Sequence, residues 1–441
     1  MAIAGVYNRD IKSNCFQYLS DAMLDLTHLG QESYSMLVSD GKRLTCTHGK
    51  GSVHFIPVED MAGYVGVGSN SSHPVSIASK SHSPKLKDFT VVFDGYFVNG
   101  KALREKHGGS SDADLTARFI ADADDFTRGI ENITGEARGS FCAIALTERG
   151  EMYVTRSPLG VQPLIYGKGE SGQAVVTESR ALSNIDMELV RDVKAGEMLA
   201  MDASGIHPIG ELPSKKHVCT FLWGYFAYPD STIEGLKVEL IRKESCAILA
   251  RKDRELGLKA DFVVPVPDSG KKYAEGYAIE SGVPCMELLY KYPYKGRSYM
   301  RPGQQFRDII AGKKITILPR QVKDRVIVLT EDSIRRGTQI IRKRGPIDLL
   351  RTAGAKEIHL RVGTPRNKAF CRFLPPDGDM YDDSTLAANR YPTDEELRKY
   401  LGVDSVRIAE LDDFVKIFSS RGLPEKEQCL GCYTGDFGFL D

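Results

Sequence analysis

The chain has 441 residues, 41% of them hydrophobic, which is enough apolar mass to bury real cores and favours two or three domains over one. Lysine plus arginine number 59 and aspartate plus glutamate 59, so no net field recruits nucleic acid or an anionic membrane. The opening MAIAGVYNRD has no basic flank leading into an apolar stretch, and no later run approaches bilayer-spanning length. A cytoplasmic chain with no membrane or nucleic-acid partner is expected, and nine cysteines in that setting read as thiols, core residues or metal ligands rather than disulfides.

Residues up to about 210 carry short β-like runs, among them FTVVFDGYFV, SFCAIALT, EMYVTR and QAVVTES, separated by Gly, Ser and Asp turns. These point to a β-rich layered domain. One amphipathic helix, CFQYLSDAMLDLTHLG (15–30), precedes a glycine stop. From about 230 the texture changes. TIEGLKVELIRKESCAILARKDREL (232–256) reads as a long helix, DFVVPVP as a buried strand and KKYAEGYAIESG as a helix. VIVLT then reads as a second buried strand, and IIRKRGPIDLLRTAGA as a helix broken at Gly345-Pro346. Alternating strands and helices predict a parallel sheet with right-handed crossovers.

The stretch VIVLTEDSIRRGTQ (326–339) carries the chemistry. Its apolar strand delivers Glu331 and Asp332 to a sheet edge, where ligands of open α/β sheets bind. Ser333, Arg336, Gly337 and Thr338 follow, then a helix, so hydroxyls and backbone N–H groups converge in a way that suits a phosphate monoester. In isolation an acidic pair is more often a helix cap than a site. Here the acids would repel phosphate but suit ribose hydroxyls, directly or through a divalent cation, Mg2+. Both demands meet in phosphoribosyl pyrophosphate.

The whole string resembles the phosphoribosyl pyrophosphate motif of type I phosphoribosyltransferases, specifically that of the glutamine phosphoribosylpyrophosphate amidotransferase (amidophosphoribosyltransferase) family, which opens purine synthesis. VVPVPDSGKKYAEGYA is similar to that family's pyrophosphate loop, with Asp268, Ser269 and Gly270 receiving the diphosphate. KYPYKGRSYMRPGQQFR is similar to the segment leading into its closing loop, where Lys291, Arg297, Gln304 and Arg307 match. In DIIAGKKITILPR, Lys313 and Lys314 stand where the family has an arginine near a lysine, and an ammonium does not reproduce a guanidinium fork. The resemblance gives Lys314 and Arg297 as catalytic groups. It implies an N-terminal-nucleophile-hydrolase-like αββα sandwich (1–215) followed by a type I phosphoribosyltransferase domain with a parallel sheet (216–441).

QCLGCYTGDFG, near the end, holds a C-x-x-C pair that by itself is ambiguous between zinc, a redox dithiol and iron–sulfur ligation. In the iron–sulfur branch of the family two further cysteines complete the set. The resemblance places Cys219 and Cys371 there with Cys429 and Cys432, as structural ligands of a 4Fe-4S cluster. Cys15, Cys46, Cys142, Cys246 and Cys285 are expected to be packing residues.

The glutaminase half departs from the pattern. The family's first domain attacks glutamine with an N-terminal cysteine, whereas the matching stretch here is MAIAGVYN, with alanine after the methionine. His28-Leu29-Gly30-Gln31 lacks the family's arginine, no arginine lies between Gly66 and Ser79, and Asp94-Gly95 stands for an oxyanion-hole Asn-Gly. Only SSDADL, with Asp112, keeps the family's look. The expectation is a homo-oligomeric (dimeric or tetrameric) phosphoribosyltransferase that uses phosphoribosyl pyrophosphate with ammonia or another nucleophile, responds to a purine nucleotide effector and hydrolyses no glutamine. The alternative is a catalytically silent sensor of phosphoribosyl pyrophosphate or nucleotides.

Overall fold

The computed structural model describes residues 1–53, 61–71, 78–291, 315–341, 343–375 and 382–440. Two antiparallel sheets, of seven and six strands among the described residues, make the N-terminal half. The Ala2–Asn8 strand sits inside the larger sheet between Gly172–Val176 and Val65–Ser71, and Lys87–Phe97 pairs along its length with Gly139–Thr147 in the smaller one.

Strand periodicity of two builds the layers. Ile3, Val67, Val92 and Ile144 point into the core between the sheets. Phe89, Val91 and Phe93, alternating with Val92, point the other way onto the helices Asp112–Ala121 and Phe126–Glu136. On the opposite side Ala2, Ala4 and Val6 pack beneath the helix Phe16–Asp25. The order is therefore helix, sheet, sheet, helix, with each fully buried large apolar side chain contributing about 1.5–3 kcal/mol.

The first helix continues as a tight turn, Leu26–Leu29, and ends at Gly30. That glycine is not a left-handed stop: its backbone is extended, and a Cβ there would lie 2.7 Å from the backbone of Ser71. Glycine is needed for close approach of two segments.

The long helix expected over 232–256 begins only at Val238 and runs to Glu255. Residues Thr232–Ile233 and Leu236–Lys237 instead form a small antiparallel pair turning at Glu234 (φ 49°) and Gly235 (φ 74°). Tertiary contacts override helix propensity here: the Trp223 indole donates to Leu236 O at 3.1 Å and Val238 N–H to Ser231 O at 2.9 Å.

A four-stranded parallel sheet follows, in chain order Phe262–Pro265, Val326–Glu331, Glu357–Val362 and Ser405–Ile408. Val263 and Val328 face the helices Val238–Glu255 and Lys271–Ser281, while Val264, Ile327 and Leu329 face the other layer with Leu350 and Leu397. One apolar cluster joins the two halves, since Phe16 and Leu19 share it with Trp223, Phe414 and Phe418. No helix among the described residues is long and apolar enough to cross a membrane.

Candidate active site

Pro265 lies opposite Thr330 in the parallel ladder, so the loops leaving these two strands emerge side by side at the carboxyl edge of the sheet. Val266 N–H donates to Thr330 O at 2.9 Å and the Thr330 hydroxyl to Gly270 O at 3.1 Å, which clamps the first loop onto the second strand. The Pro267–Asp268 peptide is cis. The second loop is tied to the third strand through Gly363 N–H to Glu331 O and Thr364 N–H to Asp332 O, both 2.9 Å. Gly337 (φ 77°) turns the chain into the short helix Thr338–Ile341.

A cavity of about 680 Å³ opens over these loops. Glu331, Asp332, Ser333, Arg336, Gly337 and Thr338 line it from one side, and Asp268 and Ser269 from the other. Gly270 lies behind, against Thr330. The acids lie at the cavity without being sealed in: Glu331 is half-buried and Asp332 is 5% exposed, and both reach its wall. Glu331 Oε1 accepts from the Ser269 hydroxyl at 2.6 Å and from Asp332 N–H at 3.0 Å, and the Ser333 hydroxyl donates to Asp332 Oδ1. Burial pushes both carboxyls above the usual carboxylate range, Glu331 well above it because the Asp332 charge adds to the effect. Arg242, buried and donating to Trp223 O and Ala227 O at 2.7 Å, partly offsets this at Asp332. Two crowded carboxyls of this kind suit a divalent cation or the hydroxyl edge of a sugar.

Lys291 Nζ reaches Asp268 Oδ2 at 3.0 Å and lines the same cavity. Arg297 and Lys314, expected to be catalytic, lie outside the described residues, as do Gln304, Arg307 and Lys313. Sequence reasoning missed the aromatic wall formed by Phe221, Tyr225 and Phe226, and it missed Phe370. The adjacent pair Arg335-Arg336, a local basic cluster in the sequence and so a candidate anion site, also lines the cavity. Phe370 and the Tyr225 wall come from distant segments and left no local signal.

The four cysteines of the proposed cluster set lie near one another. Cys219 and Cys429 are register partners in a two-strand parallel pair, and Cys432 O accepts from Lys368 and Ala369 N–H at 2.9 and 3.1 Å, close to Cys371. Burial, then the neighbouring Cys219 and Cys371, pushes the thiols of Cys429 and Cys432 well up. Among the described residues no three His, Cys, Asp or Glu side chains close on a point as a single ion would require. An all-thiolate set bound to the corners of a four-iron cluster does not need such a point. Of the other cysteines, Cys15, Cys142 and Cys246 are buried as expected, but Cys46 and Cys285 are exposed and are not packing residues. Cys46 lies on a strand at the sheet edge, where one face stays in solvent.

Residues 75–184 match a glutamine amidotransferase domain family. The amidophosphoribosyltransferase of Methanothermobacter thermautotrophicus is 32% identical over 99% of this chain and 94% of its own length. The chain belongs to the amidophosphoribosyltransferase family. The Methanocaldococcus jannaschii amidophosphoribosyltransferase is 30% identical over 99% of this chain and 97% of its own length. A solved glutamine phosphoribosylpyrophosphate amidotransferase from B. subtilis, complexed with ADP and GMP, superposes with a TM-score of 0.87 at 26% identity, covering 99% of this chain and 97% of that one. The family's architecture, an N-terminal-nucleophile-hydrolase-like sandwich followed by a type I phosphoribosyltransferase fold, is thus the fold of this chain.

The residues at the expected glutaminase positions are held by contacts within the protein. His28 Nε2 lies 2.8 Å from Glu178 Oε2, and the other oxygen of that buried acid accepts from Tyr228 N–H and the Ser231 hydroxyl, both at 2.5 Å. Asp94 is buried between the sheets, and burial pushes its carboxyl up. Asp112 is engaged by Phe97 N–H at 2.9 Å and by Arg104. Cys15, the first cysteine in the sequence, sits fully buried, its thiol raised by burial to about 12. Such a thiol is a poor nucleophile.

Proposed function

We propose that this family member is a phosphoribosyltransferase which displaces pyrophosphate from phosphoribosyl pyrophosphate with ammonia or another nucleophile and does not hydrolyse glutamine. The observation that carries the reading is the single cavity shared by the acid pair, the Ser333–Thr338 turn and the Asp268-Ser269 loop.

In this reading the turn's amides with Arg336 and Thr338 hold the 5-phosphate, and Glu331 and Asp332 hold the ribose hydroxyl edge. The Asp268–Gly270 backbone holds the leaving diphosphate, and Arg297 and Lys314 are the catalytic groups that the family resemblance gives. The transition state at the anomeric carbon is oxocarbenium-like, so the protein acts chiefly by orienting the reactants, stabilising departing charge and excluding water. Neutral ammonia needs no general base. Glu331 and Asp332 fit Mg2+, which when bound would neutralise diphosphate charge. Cys219, Cys371, Cys429 and Cys432 fit a 4Fe-4S cluster as a donor set, and its part would be structural, fastening the C-terminal tail to the rest of the chain.

The reading that glutaminase chemistry is lost rests on the missing arginines and on the Asp94 carboxyl at the expected oxyanion position. The sandwich then serves as scaffold. A purine nucleotide effector is part of the proposal because the B. subtilis relative was solved with ADP and GMP. A homo-oligomer, dimer or tetramer, follows from the family resemblance.

The purified protein, incubated with phosphoribosyl pyrophosphate, Mg2+ and ammonia or a panel of amines at alkaline pH, should release pyrophosphate, while glutamate release from glutamine stays at background. Robust glutamine turnover would overturn the pseudo-glutaminase reading. Tight binding without pyrophosphate release from any nucleophile would make the protein a sensor.

A further inference from the structure

The phosphate turn carries two adjacent arginines. Arg336 donates from Nε to the Thr385 hydroxyl at 3.2 Å, and its guanidinium carbon lies 5.6 Å from the centre of the Phe370 ring. Arg335 packs on the same ring at 4.9 Å, while its carbonyl accepts from Ala387 N–H at 2.6 Å. Phe370 is itself fixed, its N–H donating to Asp383 Oδ1 at 2.8 Å. One aromatic ring therefore supports two like charges. Among the described residues no carboxylate pairs with Arg335, although the chain holds as many acids as bases and most of its arginines have found one. Both side chains remain accessible and line the cavity. Arg336 stands beside Arg335 as a like charge, and the shared ring rather than a carboxylate holds the two side chains at the cavity.

Resting on the phosphoribosyl site just described, we propose that Arg335 is a second phosphate-binding arginine of the turn, positioned by Phe370, so that a dianionic sugar monophosphate meets two guanidinium charges rather than one. Two planar forks supply more directed, charge-assisted donors than the turn's amides alone. Placement of the pair on a ring limits the side-chain entropy lost on binding.

The test is calorimetric binding of ribose 5-phosphate to the full-length protein, together with thermal unfolding of the ligand-free protein, for wild type, Arg335→Gln and Arg335→Lys. Arg335→Gln should weaken binding about tenfold, as expected for loss of a charge-assisted contact. It should leave the ligand-free melting temperature unchanged, because no carboxylate among the described residues loses a partner. Arg335→Lys should fall between, keeping charge but not the fork. A purely structural arginine predicts the reverse: a lower melting temperature with unchanged affinity. That result would overturn this inference alone, since wild-type binding would still support the phosphoribosyl site. Failure of the wild type to bind ribose 5-phosphate would overturn both.

Discussion

Glu331 shows how the site is held ready at the expense of stability. Its carboxyl accepts from Ser269 and from the neighbouring N–H, yet burial and the Asp332 charge keep its pKa well above the ordinary carboxylate value. A raised folded-state pKa means that the ionised group costs nothing in acid, where it is protonated whether folded or not. The cost grows as pH climbs from the ordinary carboxylate range through the elevated value. Glu331→Gln should therefore raise the melting temperature by on the order of 2 °C at pH 8 and leave it unchanged near pH 4, while pyrophosphate release is lost. A variant equally destabilised at both pH values would contradict the burial argument.

At the level of elements, the loop following the Phe262–Pro265 strand depends on Gly270. A Cβ there would stand 2.2 Å from Thr330 O and 2.7 Å from Val266 N, both backbone atoms that cannot swing aside. Gly270→Ala should displace the Asp268-Ser269 loop, cost about 1–3 kcal/mol in a denaturant titration and weaken pyrophosphate binding more than ribose 5-phosphate binding. Equal loss for both ligands would mean that the loop does not serve the diphosphate. The strand–loop–helix order around Gly270 was legible because an apolar run, a Gly-containing turn and a helix-forming stretch are local signals. The hairpin at Thr232–Lys237 was not, because the donor that fixes it is the Trp223 indole, and glutamate at a left-handed position carries no local cue.

Across the whole molecule the C-terminal tail returns to the domain junction. Cys429 pairs alongside Cys219, Gln428 Nε2 donates to Leu423 O at 2.9 Å, and Tyr433 packs edge-on against Phe221 and Phe414. If the four thiolates hold a cluster, anaerobically purified protein should be coloured and contain iron. Chelation should then make the tail beyond Ser419 the first segment cut in limited proteolysis. A colourless, iron-free protein whose tail resists protease equally with and without chelator would refute the cluster proposal.

Neighbouring residues encode the β-layered first half, the alternating second half, the acid pair with its glycine turn, and the family those motifs point to. Short-range periodicity and turn chemistry are written in adjacent positions, so one chain suffices to read them. Folding in three dimensions set Phe370 beneath both arginines, Tyr225 and its aromatic neighbours along the cavity wall, and Glu178 against His28. Those contacts join residues far apart in the chain, and which of many apolar or charged side chains meet is settled by packing, for which no local pattern exists.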